Sequence, residues 1–160
     1  MAEGYLDRVN VEPAFVPVDM QSGDNNGAWI SMVNYQTAII ILFKGAGTDG
    51  DDPIFKLQQA DSSAGGNAKD LNFSIIHEKV GATVADVVSW TRQTQTAATS
   101  YVNTDSAQVE ALIVVEVLAA ELDQDNSFTH IRLEVANIGA NAQIGCALYV
   151  RLDPRFAVKA

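Results

Sequence analysis

Cysteine occurs once, histidine twice and proline four times in 160 residues. The lone Cys146 cannot close an intramolecular bridge, so the fold does not rest on disulfides and gives no sign of an oxidising compartment. Its flanks, IGCALYV, alternate as a strand, which reads as a buried, inert thiol. Bases are scarce as well: ten Lys and Arg against twenty Asp and Glu leave a formal charge of -10. Binding nucleic acid needs a basic face that neutralises phosphates, and the chain has no Lys/Arg cluster, so no nucleic-acid partner is expected. Between Arg92 and Arg132 stand six acids and no Lys or Arg, so a partner there is neutral or positive. No long hydrophobic run is present. The longest, AIIILF at 38–43, is far short of the roughly 20 residues of a membrane helix, so a soluble chain with no membrane partner is expected. The N-terminal MAEGYLDRVNVEP carries charges where a signal peptide needs an apolar core.

Helical periodicity is almost absent too, whereas strand signals recur: AFVPV, AWISMVN, TAIIILFK, IFKLQQ, LNFSIIHEK, TVADVVSWTR, EALIVVEVLA, THIRLEVAN and QIGCALYVRL. Clusters of Gly, Asn and Asp separate them, as in QSGDNNG, GAGTDGDDP, DSSAGGNAKD, LDQDNS and NIGANA. Short strands joined by such turns predict an all-β sandwich or barrel. Alternation places Leu71, Phe73 and Ile75 on one side of a strand, and likewise Ile113, Val115 and Val117. Ile131, Leu133 and Val135 stand opposite His130, Arg132 and Glu134. TAIIILFK does not alternate; apolar on both faces, it is either a central strand or one that meets another subunit. With 48% hydrophobic and 19% charged residues, the chain reads as one domain. Residues 1–15 read as an N-terminal arm lying on a surface, or else as an edge strand of the same sheet, and residues 16–160 as the β-sandwich.

One stretch imitates an enzyme motif. In ILFKGAGTDGDDPIF, Gly45, Gly47 and Gly50 have the G-x-G-x-x-G spacing of a dinucleotide fingerprint. That fingerprint needs a helix after the turn to hold a pyrophosphate at its N-terminus, but IFKLQQ is strand-like, and Asp49, Asp51 and Asp52 would repel an anion. The reading is a hairpin loop with no bound cofactor. Asp49 and Asp51, or Asp123, Asp125 and Asn126, offer oxygens at a spacing that suits a hard cation, but turns in which Asp and Asn bond their own backbone are preferred, and no metal is expected. His77, His130 and Cys146 lack zinc-site spacing, and both histidines fall on polar beats of strands. No Ser or Cys has a base and an orienting acid near it, so no catalytic residue is assigned. Trp29 and Trp90 sit in strand patterns and are expected in the core, against a sugar platform as the alternative.

In order along the chain, VPVDMQSGDNNGAWISMVNYQTAIIILFKGAGTDGDDPIFKLQQA, AKDLNF and LDQDNSFTHIRLEVANIGANAQIGCALYVRLDPRF resemble the head decoration or capsid cement proteins of tailed bacteriophages. The resemblance covers about residues 16 to 156. It implies a β-sandwich of jelly-roll type with about eight to nine strands and no enzymatic activity. It also implies a place on the outer surface of the virion capsid after assembly in the bacterial host cytoplasm. The partners would be the major capsid protein and further copies of the chain, as a homotrimer. Arg and aromatic residues are favoured at interface centres. On that basis Tyr5, Leu6, Arg8, Val9 and Phe15 of the arm, with Arg151, Arg155 and Phe156 near the C-terminus, are the expected capsid or subunit contacts. The alternative is a carbohydrate- or receptor-binding β-sandwich on the virion.

Overall fold

The computed structural model describes residues 8–155. Its strands are β1 (Asn10–Asp19), β2 (Asn25–Asn26), β3 (Ile30–Ser31), β4 (Tyr35–Lys44), β5 (Phe55–Ala60) and β6 (Lys69–Asp70). They continue with β7 (Phe73–Gly81), β8 (Thr91–Ala98), β9 (Ser100–Tyr101), β10 (Glu110–Leu118), β11 (His130–Val135) and β12 (Ile144–Pro154). Every pairing is antiparallel, in two sheets. Sheet A has the order β1-β12-β4-β10-β7-β8; sheet B has β2-β11-β5-β6, with β3 also on β11 and β9 on β5. Strands β1-β12-β4-β10 against β2-β11-β5-β6, with the chain passing between the sheets, are the eight-strand order of a jelly roll. The β7–β8 hairpin extends sheet A beyond it. The β-sandwich expectation therefore holds; the twelve strands, four of them only two residues long, exceed the eight to nine expected.

Alternation builds the core. Ala38, Ile40 and Leu42 of β4, Ile113, Val115 and Val117 of β10, and Ala147 and Tyr149 of β12 point inward from sheet A. Phe55 and Leu57 of β5 and Ile131, Leu133 and Val135 of β11 meet them from sheet B. Phe55 packs edge-to-face on Phe73 at 5.9 Å. Tyr149, fully buried, ties the layers together: its hydroxyl accepts the Leu133 N–H at 2.8 Å, and Leu133 O accepts the Gly27 N–H at 2.8 Å. Gly27 is required there, because a Cβ would collide with that hydroxyl. Burial raises the Tyr149 pKa.

Three expectations are corrected. Val84–Asp86 of TVADVVSWTR is a 3-10 turn, and the strand starts only at Thr91. The Glu110 carboxylate accepts the Val84 N–H at 2.8 Å and pins this turn. Ile75 does not share a face with buried Leu71 and Phe73 but is 42% exposed. A register shift between Phe73 and Ile75 reverses the alternation, so that Ile76 points inward. Of AWISMVN, only Ile30–Ser31 is strand.

Candidate interaction surface

Sheets A and B present unlike faces to the outside. On sheet B the outward side chains are charged and mutually paired. Lys56 Nζ lies 3.1 Å from Asp70 and 4.0 Å from Glu134, and Arg132 Nε donates to Gln58 Oε1 at 2.8 Å. Sheet A is apolar outside as well as inside. The register aligns Leu112, Phe43 and Cys146 in one row and Val114, Ile41 and Leu148 in the next, and places Ile39 beside Val150 and Val11. Phe43 is 41% exposed and Leu148 39%. β4 is thus a central strand with apolar side chains on both faces. Cys146, expected to be buried and inert, is half-buried and stands in this outward row.

Towards the β7–β8 edge the face becomes polar. The register carries Val114 on to His77 and Arg92, and Leu112 on to Lys79. Glu116, between Ile39 and this edge, and Glu110, on the same side of β10, are acids among them. Phe73, Ile75, His77, Arg92, Glu116 and Glu121 are among the lining residues of a cleft of about 500 Å³. A smaller hollow of about 220 Å³ is lined by Ile39, Val114, His77, Glu116 and Trp90. Trp90 is 48% exposed with the Lys79 ammonium over its ring at 5.2 Å, and nearby Val88 is 95% exposed. Trp29 is half-buried under the Arg132 guanidinium, 4.7 Å from its ring. Neither tryptophan is in the core as expected, because both lie in loops and not in strands.

The glycine-rich stretch is a loop between two strands, and β5 follows it where the fingerprint needs a helix. Lys44, at its start, is fully buried. Its ammonium donates to the carbonyls of Gly45, Ser106, Ala107 and Val109 at 3.0, 2.5, 3.2 and 2.6 Å. Burial lowers its pKa to about 8, with Asp52 opposing the shift. All its protons are engaged, so it acts as a staple between loops. A second polar group between the sheets is Glu78, which accepts from the Tyr101 hydroxyl, Asn103 Nδ2 and Gln93 Nε2 at 2.8, 2.9 and 2.8 Å. Burial, then the bond to Glu78, raises the Tyr101 pKa. Neither network was legible in the sequence, since the partners are brought together from distant parts of the chain.

The acidic loops are internally bonded. Asp51 accepts from Asn141 Nδ2 at 2.9 Å, and Asp123 accepts from the Asn126 N–H at 3.2 Å, the backbone-bonding turn expected. Asp123 also pairs with Lys69, whose bond is the main cause of its lowered pKa. His77 and Cys146 lie on sheet A with β10 and β4 between their strands, and His130 lies on sheet B, so the structure does not bring the three together.

Of the expected contact residues, Tyr5, Leu6 and Phe156 lie outside the described residues. Phe15 packs against the core of its own chain. Arg151 also faces its own chain. Its Nη2 is 2.6 Å from Glu12 Oε1, an ion pair off the hydrogen-bond axis. Its Nη1 donates to Ser31 O at 2.8 Å, and its guanidinium lies 4.6 Å from the Tyr35 ring. Arg8 and Arg155 are exposed and Val9 is half-buried. Residues 10–15 of the arm lie in β1, paired with β12 from Asn10↔Arg151 onward, so the start of β1 and the end of β12 share one corner of sheet A.

No protein-family model matches the chain, and no curated protein matches it by sequence. Among solved structures it is similar to the SPBc2 prophage-derived protein YomS, with a TM-score of 0.47 and 10% identity, over 89% of this chain and 92% of that one. At that score the likeness says nothing of what this chain binds or does.

Proposed function

We propose that the chain is a non-enzymatic structural subunit that works by adhesion. In the terms of the sequence resemblance, it is a decoration or cement protein that binds the major capsid protein on the outer surface of a phage head and stabilises the shell. The observation that carries this reading is the pair of unlike outer faces. A sandwich that stays alone in water has reason to present polar side chains on both, but here sheet A presents Phe43, Ile41, Leu148 and Val150. Each Å² of such surface removed from water contributes about 25 cal/mol before the costs of binding are deducted. Binding only the intact shell would then raise its resistance to heat and internal pressure, as any ligand specific to a native state does. Many repeated modest contacts add through multivalency. The corner where β1 begins and β12 ends, with Arg8, Val9 and Arg155, is assigned to the shell together with Tyr5, Leu6 and Phe156.

The glycan-binding alternative has the cleft at Ile75 and Glu116 in its favour. It is weakened by the placement of the tryptophans, one under Arg132 of sheet B and the other beside Lys79 of sheet A, which do not form one platform. Co-sedimentation separates the readings. Saturable retention of the purified chain by expanded phage heads is expected; a chain that stays in the supernatant but is held on a glycan column would mean the cement reading is wrong.

A further inference from the structure

We propose that the outer face of sheet A is a contact between two copies of this chain, packed face to face about a two-fold axis. This rests on the assembly reading above and names what covers the face. Area is the first argument. Strands spaced about 4.8 Å apart and rising about 3.3 Å per residue give the stretch from β1 to β7, along the length of β12, a plan of roughly 20 Å by 33 Å. Side-chain relief raises its accessible area toward the roughly 800 Å² per partner of a stable interface.

Charge is the second argument, and it favours a copy over another partner. Two chains of formal charge -10 repel one another unless they meet where acids are absent. The apolar rows carry none, and the polar border mixes Glu110, Glu116 and Glu121 with Lys79, His77 and Arg92. A two-fold contact requires a self-complementary patch. An axis running through the apolar rows sets the acids of one copy's border against Lys79 and Arg92 of the other. A strongly basic partner would instead be drawn to sheet B and the acidic loops.

Shape is the third. A second copy brings a sheet of the same twist, and like-twisted sheets pack aligned, about 10 Å apart. Trp90, in the lining of the hollow at Ile39 and Val114, supplies a large exposed apolar group of the kind that anchors such contacts.

Equilibrium sedimentation of the purified chain tests this, with Ile41→Arg in the apolar row and Ala68→Arg on an exposed loop of sheet B as control. Wild type and Ala68→Arg are expected at an even multiple of the chain mass, and Ile41→Arg at half the wild-type mass with an unchanged circular-dichroism spectrum. Cys146 gives a readout without substitution, because it lies in the covered row. Its reaction with a thiol reagent should slow at least tenfold on going from dilute to concentrated wild-type protein. A wild-type monomer at high concentration, a mass of three copies, an Ile41→Arg variant that keeps the wild-type mass, or a Cys146 rate independent of concentration would each overturn the pairing. A monomer that pellets with phage heads sinks this inference and spares the assembly reading. A pair that ignores heads does the reverse.

Discussion

Lys44 shows how much one side chain decides in this chain. Four backbone carbonyls from two stretches of chain share its ammonium. Lys44→Met fills the space but leaves those acceptors without a donor, and a buried unpaired polar group costs about 1–3 kcal/mol. A loss of about 3 kcal/mol in urea unfolding is therefore expected. The pH dependence has a definite sign. With the folded pKa lowered to about 8 from 10.5, the unfolded chain holds more protons between those values. Wild-type stability should thus rise with pH across that window relative to Lys44→Met. His130 acts at the other end of the scale. Burial lowers its pKa below 6.5, with Asp61 opposing, so acid protonates the unfolded chain first. Stability should fall as pH drops through 6.5, and His130→Gln should flatten that part of the profile. At Tyr149, the change to Phe removes the acceptor of the Leu133 N–H and should cost about 1–3 kcal/mol by the same measurement.

At the scale of the element, β4 is the strand to test. Ile40 is fully buried between the sheets and Ile41 is half-buried on the outer face. Ile40→Ala should cost about 2–5 kcal/mol as a core truncation, and Ile41→Ala about 1 kcal/mol or less in dilute solution. Strands of this kind were legible in the sequence because they are long and strongly patterned: β10 and β11 follow their alternation, and TAIIILFK announces a central strand by having no polar beat. Cys146 was placed on the wrong face for the same reason. Alternation fixes the period of β12 but not its phase, and in IGCALYV both faces are apolar. Ile75 was misassigned because a bulge, invisible in composition, shifts the phase within β7. Residues 84–86 failed because valine's strand propensity was overruled by the distant Glu110 carboxylate. The outer face of sheet A was half legible. A strand apolar on both sides was evident, but its joining with Leu112, Leu148 and Val150 into one surface depends on strand order.

Across the whole molecule, charge and apolar surface are segregated. Acids gather on the loops and are paired on sheet B, while sheet A keeps an apolar exterior with a mixed border of Lys79, His77, Arg92, Glu110 and Glu116. An excess of negative charge opposes contact between copies, and least so at a face whose rows are apolar. This is the distribution expected of a subunit that holds neighbours together. The most direct test of that claim is a binding isotherm of the purified chain on expanded phage heads. The account predicts a plateau at a fixed number of chains per shell subunit and a shell that survives heating better once saturated. Retention that never saturates, or saturated shells that break at the same temperature as bare ones, would contradict it.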